Sequence, residues 1–315
     1  MDIMELLLQI FLLALGFVLL IKGADWFVDG SSSVAARFGI PQLVIGLTIV
    51  AMGTSSPEAA VSITAAFSGN ADITVGNIVG SNILNILIIL GLSAVIVPIA
   101  VAKSTIRIEI PFMIATTILL LILGLDGHIG LIDGIIFLVC FALYLTYLFI
   151  MAKKDKDEKQ EEASSSKQTA LPKAILFVIV GLAMIVLGSD VTVDAASKIA
   201  EMFGMDERFI GLTVVALGTS LPELFTSVSA ARKGNADIAI GNIVGSNIFN
   251  ILFICGISAV IIPIPFASKF VFDVAIAIAA AVMLLICSIL GKEKIKRWSG
   301  ILMLVSYAAY FAVII

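Results

Sequence analysis

Two glutamates, Glu58 and Glu223, each follow a proline inside a long apolar stretch. A charged side chain at the bilayer centre costs about 2.5–3.5 kcal/mol even on the mildest scale, so an intramembrane carboxylate marks an ion or proton path by default. Each glutamate has oxygen-bearing neighbours at helical spacing. Thr54 and Thr219 stand four residues before the glutamates, which puts hydroxyl and carboxylate on one helix face, and Ser55 and Ser220 adjoin them. Further on, Ser81 and Asn85, like Ser246 and Asn250, are again four apart. Every donor is an oxygen, with no Cys or His among them. Such a set suits a hard cation: Na⁺, Ca²⁺, Mg²⁺ or Mn²⁺. Calcium takes about 6–8 oxygens in flexible geometry, which carboxylates, hydroxyls, amides and carbonyls from four helices can supply.

These residues come in two copies. Residues 45–87 and 210–252 align without a gap at an offset of 165, and 30 of the 43 positions are identical. The matches include Gly, Thr, Ser, Pro, Glu and Asn, so shared hydrophobicity does not explain them. The first block holds GTSSPE (53–58) in one copy and GTSLPE (218–223) in the other. Proline lacks an N–H and displaces the carbonyl four residues back, so a helix break is predicted that frees the carbonyls of Gly53 and Gly218. Inside a membrane a freed carbonyl needs protein, water or an ion. The second block, GNIVGSN (76–82 and 241–247), predicts another broken or closely packed helix. Ser62 and Ser93 read as packing residues, and Asp72 and Asp237 as helix N-caps. Asp25, Asp29, Asp190 and Asp194 fall near predicted helix ends, facing water.

The elements that must carry these groups are membrane helices. Of 315 residues 60% are hydrophobic and 13% charged, with a mean hydropathy of +1.16. A soluble domain is about half apolar and a quarter charged. The first twenty residues lack a basic region and a small-residue cleavage site, so they read as a retained first helix. Ten apolar runs are long enough to span: 5–28, 42–67, 72–97, 107–124, 130–152, 172–195, 208–231, 237–262, 269–290 and 297–314. Five fall in each repeat, and an odd number forces the halves into opposite orientations. Orientation follows from the basic residues. With both termini outside, the cytoplasmic segments hold 15 Lys and Arg and the external ones 3. Trp26 and Trp298 then lie at the cytoplasmic interface.

The expected fold is therefore an all-α membrane protein of ten transmembrane helices, two inverted-topology repeats of five, N-out and C-out. Residues 1–152 form the first repeat and 172–315 the second. Residues 153–171, rich in mixed charge and serine, read as a flexible cytoplasmic linker. Cys140, Cys255 and Cys287 read as buried small hydrophobes. The one histidine, His128, lies in a polar turn, which excludes an HExxH metalloprotease and a serine–histidine enzyme. Nothing suggests nucleic-acid binding or a cofactor; the partners expected are the lipid bilayer and the cations, and a single chain suffices for the site.

The paired G-T-S-x-P-E and G-N-x-x-G-S-N cores resemble the alpha repeats of the sodium/calcium exchangers, in the calcium:cation antiporter superfamily. The resemblance covers almost the whole chain. It implies an antiporter that exchanges Na⁺ for Ca²⁺ by alternating access, with ions held at mid-membrane by the second, third, seventh and eighth helices while the first and sixth slide. Carried over, the ligands are Thr54, Ser55, Glu58, Ser81 and Asn85 with the carbonyl of Ala51, and Thr219, Ser220, Glu223, Ser246 and Asn250 with that of Ala216. Some relatives have aspartate where this chain has Asn250, so the site here holds two carboxylates rather than three. That points to an electrogenic, potassium-independent exchanger. A proton-coupled calcium antiporter is the nearest alternative, and a cation channel a remote one.

Overall fold

The computed structural model describes residues 3–69, 72–159, 170–205 and 216–314. Nearly all of these are helical, as a chain that must satisfy its own backbone in hydrocarbon requires. In order come α1 (Ile3–Phe38), α2 (Gln42–Thr54), α3 (Ser56–Phe67), α4 (Ile73–Ile96), α5 (Thr105–Gly124) and α6 (Leu131–Lys159). The second half gives α7 (Leu171–Met202), α8 (Ala216–Thr219), α9 (Leu221–Arg232), α10 (Ala236–Ile261), α11 (Ser268–Leu290) and α12 (Arg297–Ile314).

Among the described residues seven helices are long and apolar enough to cross a bilayer, and α2 with α3 makes an eighth bent by 51°. α12 is a shorter apolar helix. The span predicted at 208–231 begins outside the described residues, and its described part is α8 and α9. α1 and α7 overrun their predicted ends at 28 and 195. Both helices run on to Gly39 (φ 64°) and Gly204 (φ 77°), left-handed positions that suit glycine; no proline intervenes, and Gly30 stays helical where it packs against α7. α6 likewise continues through Lys159, into the segment read as a linker.

α1 and α7 pack along a stripe of glycines. A Cβ at Gly16 would lie 3.0 Å from the Gly188 carbonyl, at Gly23 2.9 Å from that of Gly181, and at Gly30 2.7 Å from that of Ala174. The partners descend as the positions rise, so these repeat-related helices run antiparallel, their backbones in contact. Two short ladders join the halves. β1 (Ile99–Ala100) pairs with β4 (Lys294–Ile295), and β2 (His128–Ile129) with β3 (Ile264–Pro265), both antiparallel. β3 follows β1 at the repeat offset of 165 and β4 follows β2 at 166, so these are one pairing made twice with the halves exchanged.

α4 and α10 form the centre. α10 is buried at every residue from Ile238 to Phe249. It packs on α2 so closely that a Cβ at Gly245 would stand 2.8 Å from the Ala51 methyl. The GNIVGSN motif is thus an unbroken helix in both copies, closely packed in the second, whereas a Cβ at Gly80 would meet nothing within 4 Å. The irregularity comes just after it, as π-turns at Asn85–Leu90 and Asn250–Cys255. Such bulges often sit at functional sites.

Candidate cation-binding site

The bend between α2 and α3 sits at Ser55, whose backbone (φ −80°, ψ 10°) leaves the helical region just ahead of Pro57. Ser220 (φ −90°, ψ 4°) does the same ahead of Pro222. The freed carbonyls do not face a cation, as the sequence left open. Ser56 Oγ donates to the Gly53 carbonyl and Ser189 Oγ, from α7, to that of Gly218, both at 2.7 Å. The bend's role is to start a new helix whose first turn carries the glutamate.

Glu58 and Glu223 are each 1% exposed. Their supports cross between the halves: Ser55 Oγ donates to Glu223 Oε1 at 2.7 Å, and Ser220 Oγ to Glu58 Oε1 at 3.3 Å. The second oxygen of each, Oε2, is buried without a hydrogen-bond partner, and so are Asn85 Oδ1, Asn250 Oδ1 and Thr219 Oγ1. Ser81 and Ser246 are buried at 3% and 0%. Thr54 Oγ1 donates to Asn242 Oδ1 at 2.9 Å and lies 3.3 Å from the Ala51 carbonyl, which Ser246 Oγ approaches at 3.4 Å. Ala216 opens α8. The structure therefore brings ten of the twelve candidates, all but Ser81 and Ala216, into one set of contacts or unpartnered oxygens.

Four further asparagines hold this set together. Asn77 Nδ2 donates to Ser62 Oγ at 2.9 Å and reaches the Glu58 carbonyl at 3.3 Å; Asn242 Nδ2 treats Ser227 and Glu223 identically, at 2.9 and 3.3 Å. Ser62 is a polar buttress and not merely a small packing residue. Asn82 and Asn247 exchange amide-to-carbonyl bonds across the halves, 3.1 Å each way. Asn85 Nδ2 donates to Asn247 Oδ1 at 2.9 Å and Asn250 Nδ2 to Asn82 Oδ1 at 3.0 Å. Asn85 and Asn250 thus each use Nδ2 in a bond to the other half and leave Oδ1 without a partner. The signal was in the sequence: Asn77, Ser81 and Asn85 share one face at i, i+4 and i+8. Asp237 is not an N-cap; Asn235 takes that position and Asp237 lies in the first turn.

Among the described residues no third His, Cys, Asp or Glu joins the two carboxylates. Unpartnered buried oxygens carry a desolvation cost of about 1–3 kcal/mol each. A bare cation repays it by accepting what no N–H offers. Repeated halves, a bent helix in the membrane and a buried oxygen site define a cation antiporter that carries its cargo through one chain.

The comparisons give the family. The model for the sodium/calcium exchanger proteins matches residues 8–150 and 173–315, and the chain belongs to that family. It is similar to the putative antiporter CaxA of Alkalimonas amylolytica, 41% identical over 94% of this chain and 95% of the relative. It is 32% identical to the sodium/calcium exchanger MaX1 of Methanosarcina acetivorans, over 96% and 97% of the two chains. A solved structure of the sodium–calcium exchanger NCX_Mj matches 98% of this chain and all of its own, with a TM-score of 0.85 at 33% identity. The protein is an integral membrane transporter, not an enzyme.

Proposed function

We propose that the chain exchanges Na⁺ for Ca²⁺, that each cycle moves net charge, and that K⁺ takes no part. The observation that carries this reading is the set of buried oxygens without a hydrogen-bond partner on Glu58, Glu223, Asn85 and Asn250, two from carboxylates and two from neutral amides. One Ca²⁺ neutralises the two carboxylates, whereas three Na⁺, the load implied by the family resemblance, leave one positive charge. The proposed ligands are Glu58, Glu223, Thr54, Thr219, Ser55, Ser220, Ser81, Ser246, Asn85 and Asn250 with the Ala51 and Ala216 carbonyls.

The proposed frame is ten spans in two inverted halves, residues 1–152 and 172–315, with both termini outside and residues 153–171 as the cytoplasmic connection. The antiparallel α1–α7 contact and the exchanged β-pairings support it. In this frame α1 and α7, joined backbone to backbone at their glycines and by the stacked Trp26 and Phe177 rings, slide together past the helices that carry the site.

The test is radioactive calcium flux in proteoliposomes, with Na⁺, K⁺ and H⁺ gradients imposed one at a time. Uptake driven by Na⁺ alone, and faster under an imposed potential, is the expected result. Uptake driven by a pH gradient without Na⁺ would establish the proton-coupled alternative.

A further inference from the structure

A third carboxylate lies as deep as the first two and outside the cation site. Glu109 ends a π-turn, Thr105–Glu109, at the start of α5, and it is 0% exposed. One of its oxygens accepts a hydrogen bond from the Tyr147 hydroxyl of α6. Its Oε2 has no partner, and neither does Thr105 Oγ1 one turn back or the Tyr144 hydroxyl on α6. The groove over this cluster, about 170 Å³, is walled by Ile108, Phe112 and Leu143. Ile108 and Leu143 are 46% and 64% exposed on the rim, an apolar surface suited to lipid.

No cation answers this carboxylate. Among the described residues neither Arg107, on its own turn, nor Lys153 and Lys154, further along α6, makes an ion pair with it. Asp133 lies near the start of α6 by the Cys255 thiol, and the α6 groups beside Glu109 are the two tyrosines. α11, packed on α5, carries Lys269 over the Phe270 ring and Asp273 bonded to Tyr310. The nearby part of α10 carries Cys255, and β2 carries His128, which sits against Asp126. A bare carboxylate so placed bears the full cost of desolvation. The enclosed Oε2 leaves no room for a hydrated ion, and apolar walls supply no further ligands. A proton fits.

We propose that Glu109 is a proton-binding site separate from the cation site. The neutral acid accepts from Tyr147 through one oxygen and donates from Oε2 to Thr105 or Tyr144, so three orphaned groups are reduced to one. Loss of the proton puts a charge between α5 and α6. α5 also packs against the π-turn that begins at Asn250, so the disturbance reaches the scaffold of the cation site. The second half has a shallower version of the same tie, Tyr310 donating to the partly buried Asp273 at 3.0 Å.

Infrared difference spectra of the purified protein, taken across an alkaline titration, test the site directly. The wild type should show the carbonyl stretch of a protonated carboxyl that disappears in Glu109→Gln, shifts in Tyr147→Phe and persists in Glu58→Gln. Exchange in proteoliposomes should fall several-fold on the alkaline side in the wild type and stay level in Glu109→Gln, which mimics the neutral acid. If Glu109→Gln is not recovered folded, Glu109→Asp should keep a protonated-carboxyl band at a shifted frequency. A carboxyl band unchanged by every Glu109 variant overturns the site. A wild type without alkaline decline, or a Glu109→Gln protein that keeps it, overturns the coupling. These readouts do not depend on which cations are exchanged.

Discussion

Two repeat-related pairs of aspartates stand on either side of the glutamates, and the structure finishes them differently. On α1, Lys233 Nζ donates at 2.7 Å both to Asp29 Oδ1 and to the Asp25 carbonyl, while Ser229 Oγ donates to Asp25 Oδ1 at 2.7 Å. The cavity there, about 430 Å³, reaches Phe225 and Ser229 but no candidate ligand. On α7, Asp190 and Asp194 have no ion pair among the described residues. A cavity of about 650 Å³ runs from them to Ser56, Pro57, Gly218 and Thr219, at the two bends. At the centre the serine–glutamate and asparagine bonds recur in both halves, with Thr54 bonded to Asn242 and Thr219 left open, whereas the mouths are finished differently. At the repeat offset Lys233 answers to Ser68, so one half carries a latch that the other cannot form. If the latch holds the first-half mouth shut, a chain whose repeated blocks match at 30 of 43 positions is expected to open more readily on the α7 side, by a bias small enough to reverse.

The largest effect should come at the symmetric centre. Glu58→Gln and Glu223→Gln should each reduce calcium exchange to background while the protein remains folded, since each removes half the site's charge. Equal losses are the expected result. A variant of either that exchanges like wild type would show that the halves share geometry without sharing the work.

Next comes the neutral pair. Asn85→Asp and Asn250→Asp each add a third carboxylate, so the calcium-loaded site becomes −1 and the three-sodium site neutral. Each should raise apparent Na⁺ affinity roughly tenfold, equivalent to ~1.4 kcal/mol, and slow calcium-loaded steps. Sodium titration of the flux measures it. An effect confined to one of the two would break the symmetry claimed for the centre.

The symmetric part was the part legible in sequence. Glu58, Thr54 and Ser55 announce themselves because charge and hydroxyls are costly in an apolar run and recur in register with Glu223, Thr219 and Ser220. The Asn82–Asn247 exchange was hidden, because helix spacing within one half cannot say which residue of the other half will face it. The partners of the bend carbonyls were hidden for a related reason: Ser189, which satisfies Gly218, comes from a helix 29 residues away in the chain. Helix ends failed at α1 and α7, where hydropathy stops before the backbone does. The latch was invisible, since Lys233 and Asp29 lie about two hundred residues apart and each alone is an ordinary surface charge.

Removing the latch should therefore have a moderate effect. Lys233 and its aspartates are partly exposed, with side chains 28%, 38% and 51% accessible, and pairs of this kind are worth ~0.2–1 kcal/mol. Lys233→Met should raise the share of molecules open on the α1 side by roughly 1.4–5-fold, the factor that ~0.2–1 kcal/mol supplies. Labelling of a cysteine introduced at Ser229, with and without calcium, reads that share. Labelling no faster than in the parent would show that the glycine seam alone decides which side is closed.

The smallest effect is expected at the open mouth, and its size follows from exposure. Asp190 and Asp194 are one helical turn apart, both exposed, and line the larger cavity without touching the buried oxygens. They act on a cation through water, by raising its local concentration, and not by coordination. Replacing both with asparagine should weaken apparent calcium affinity by a few-fold at low ionic strength. The effect should fade as salt shortens the screening length to about 8 Å at physiological strength. The maximum rate should hold, because the loaded site is unchanged. Neutralising Asp25 and Asp29 instead should do something different in kind: it should release Lys233 and reproduce the Lys233→Met labelling pattern, with little dependence on salt from the first-half mouth's own attraction for ions. If Asp190→Asn with Asp194→Asn lowers the maximum rate at every salt concentration, these residues belong to the path's moving parts, and the two mouths differ in more than a latch.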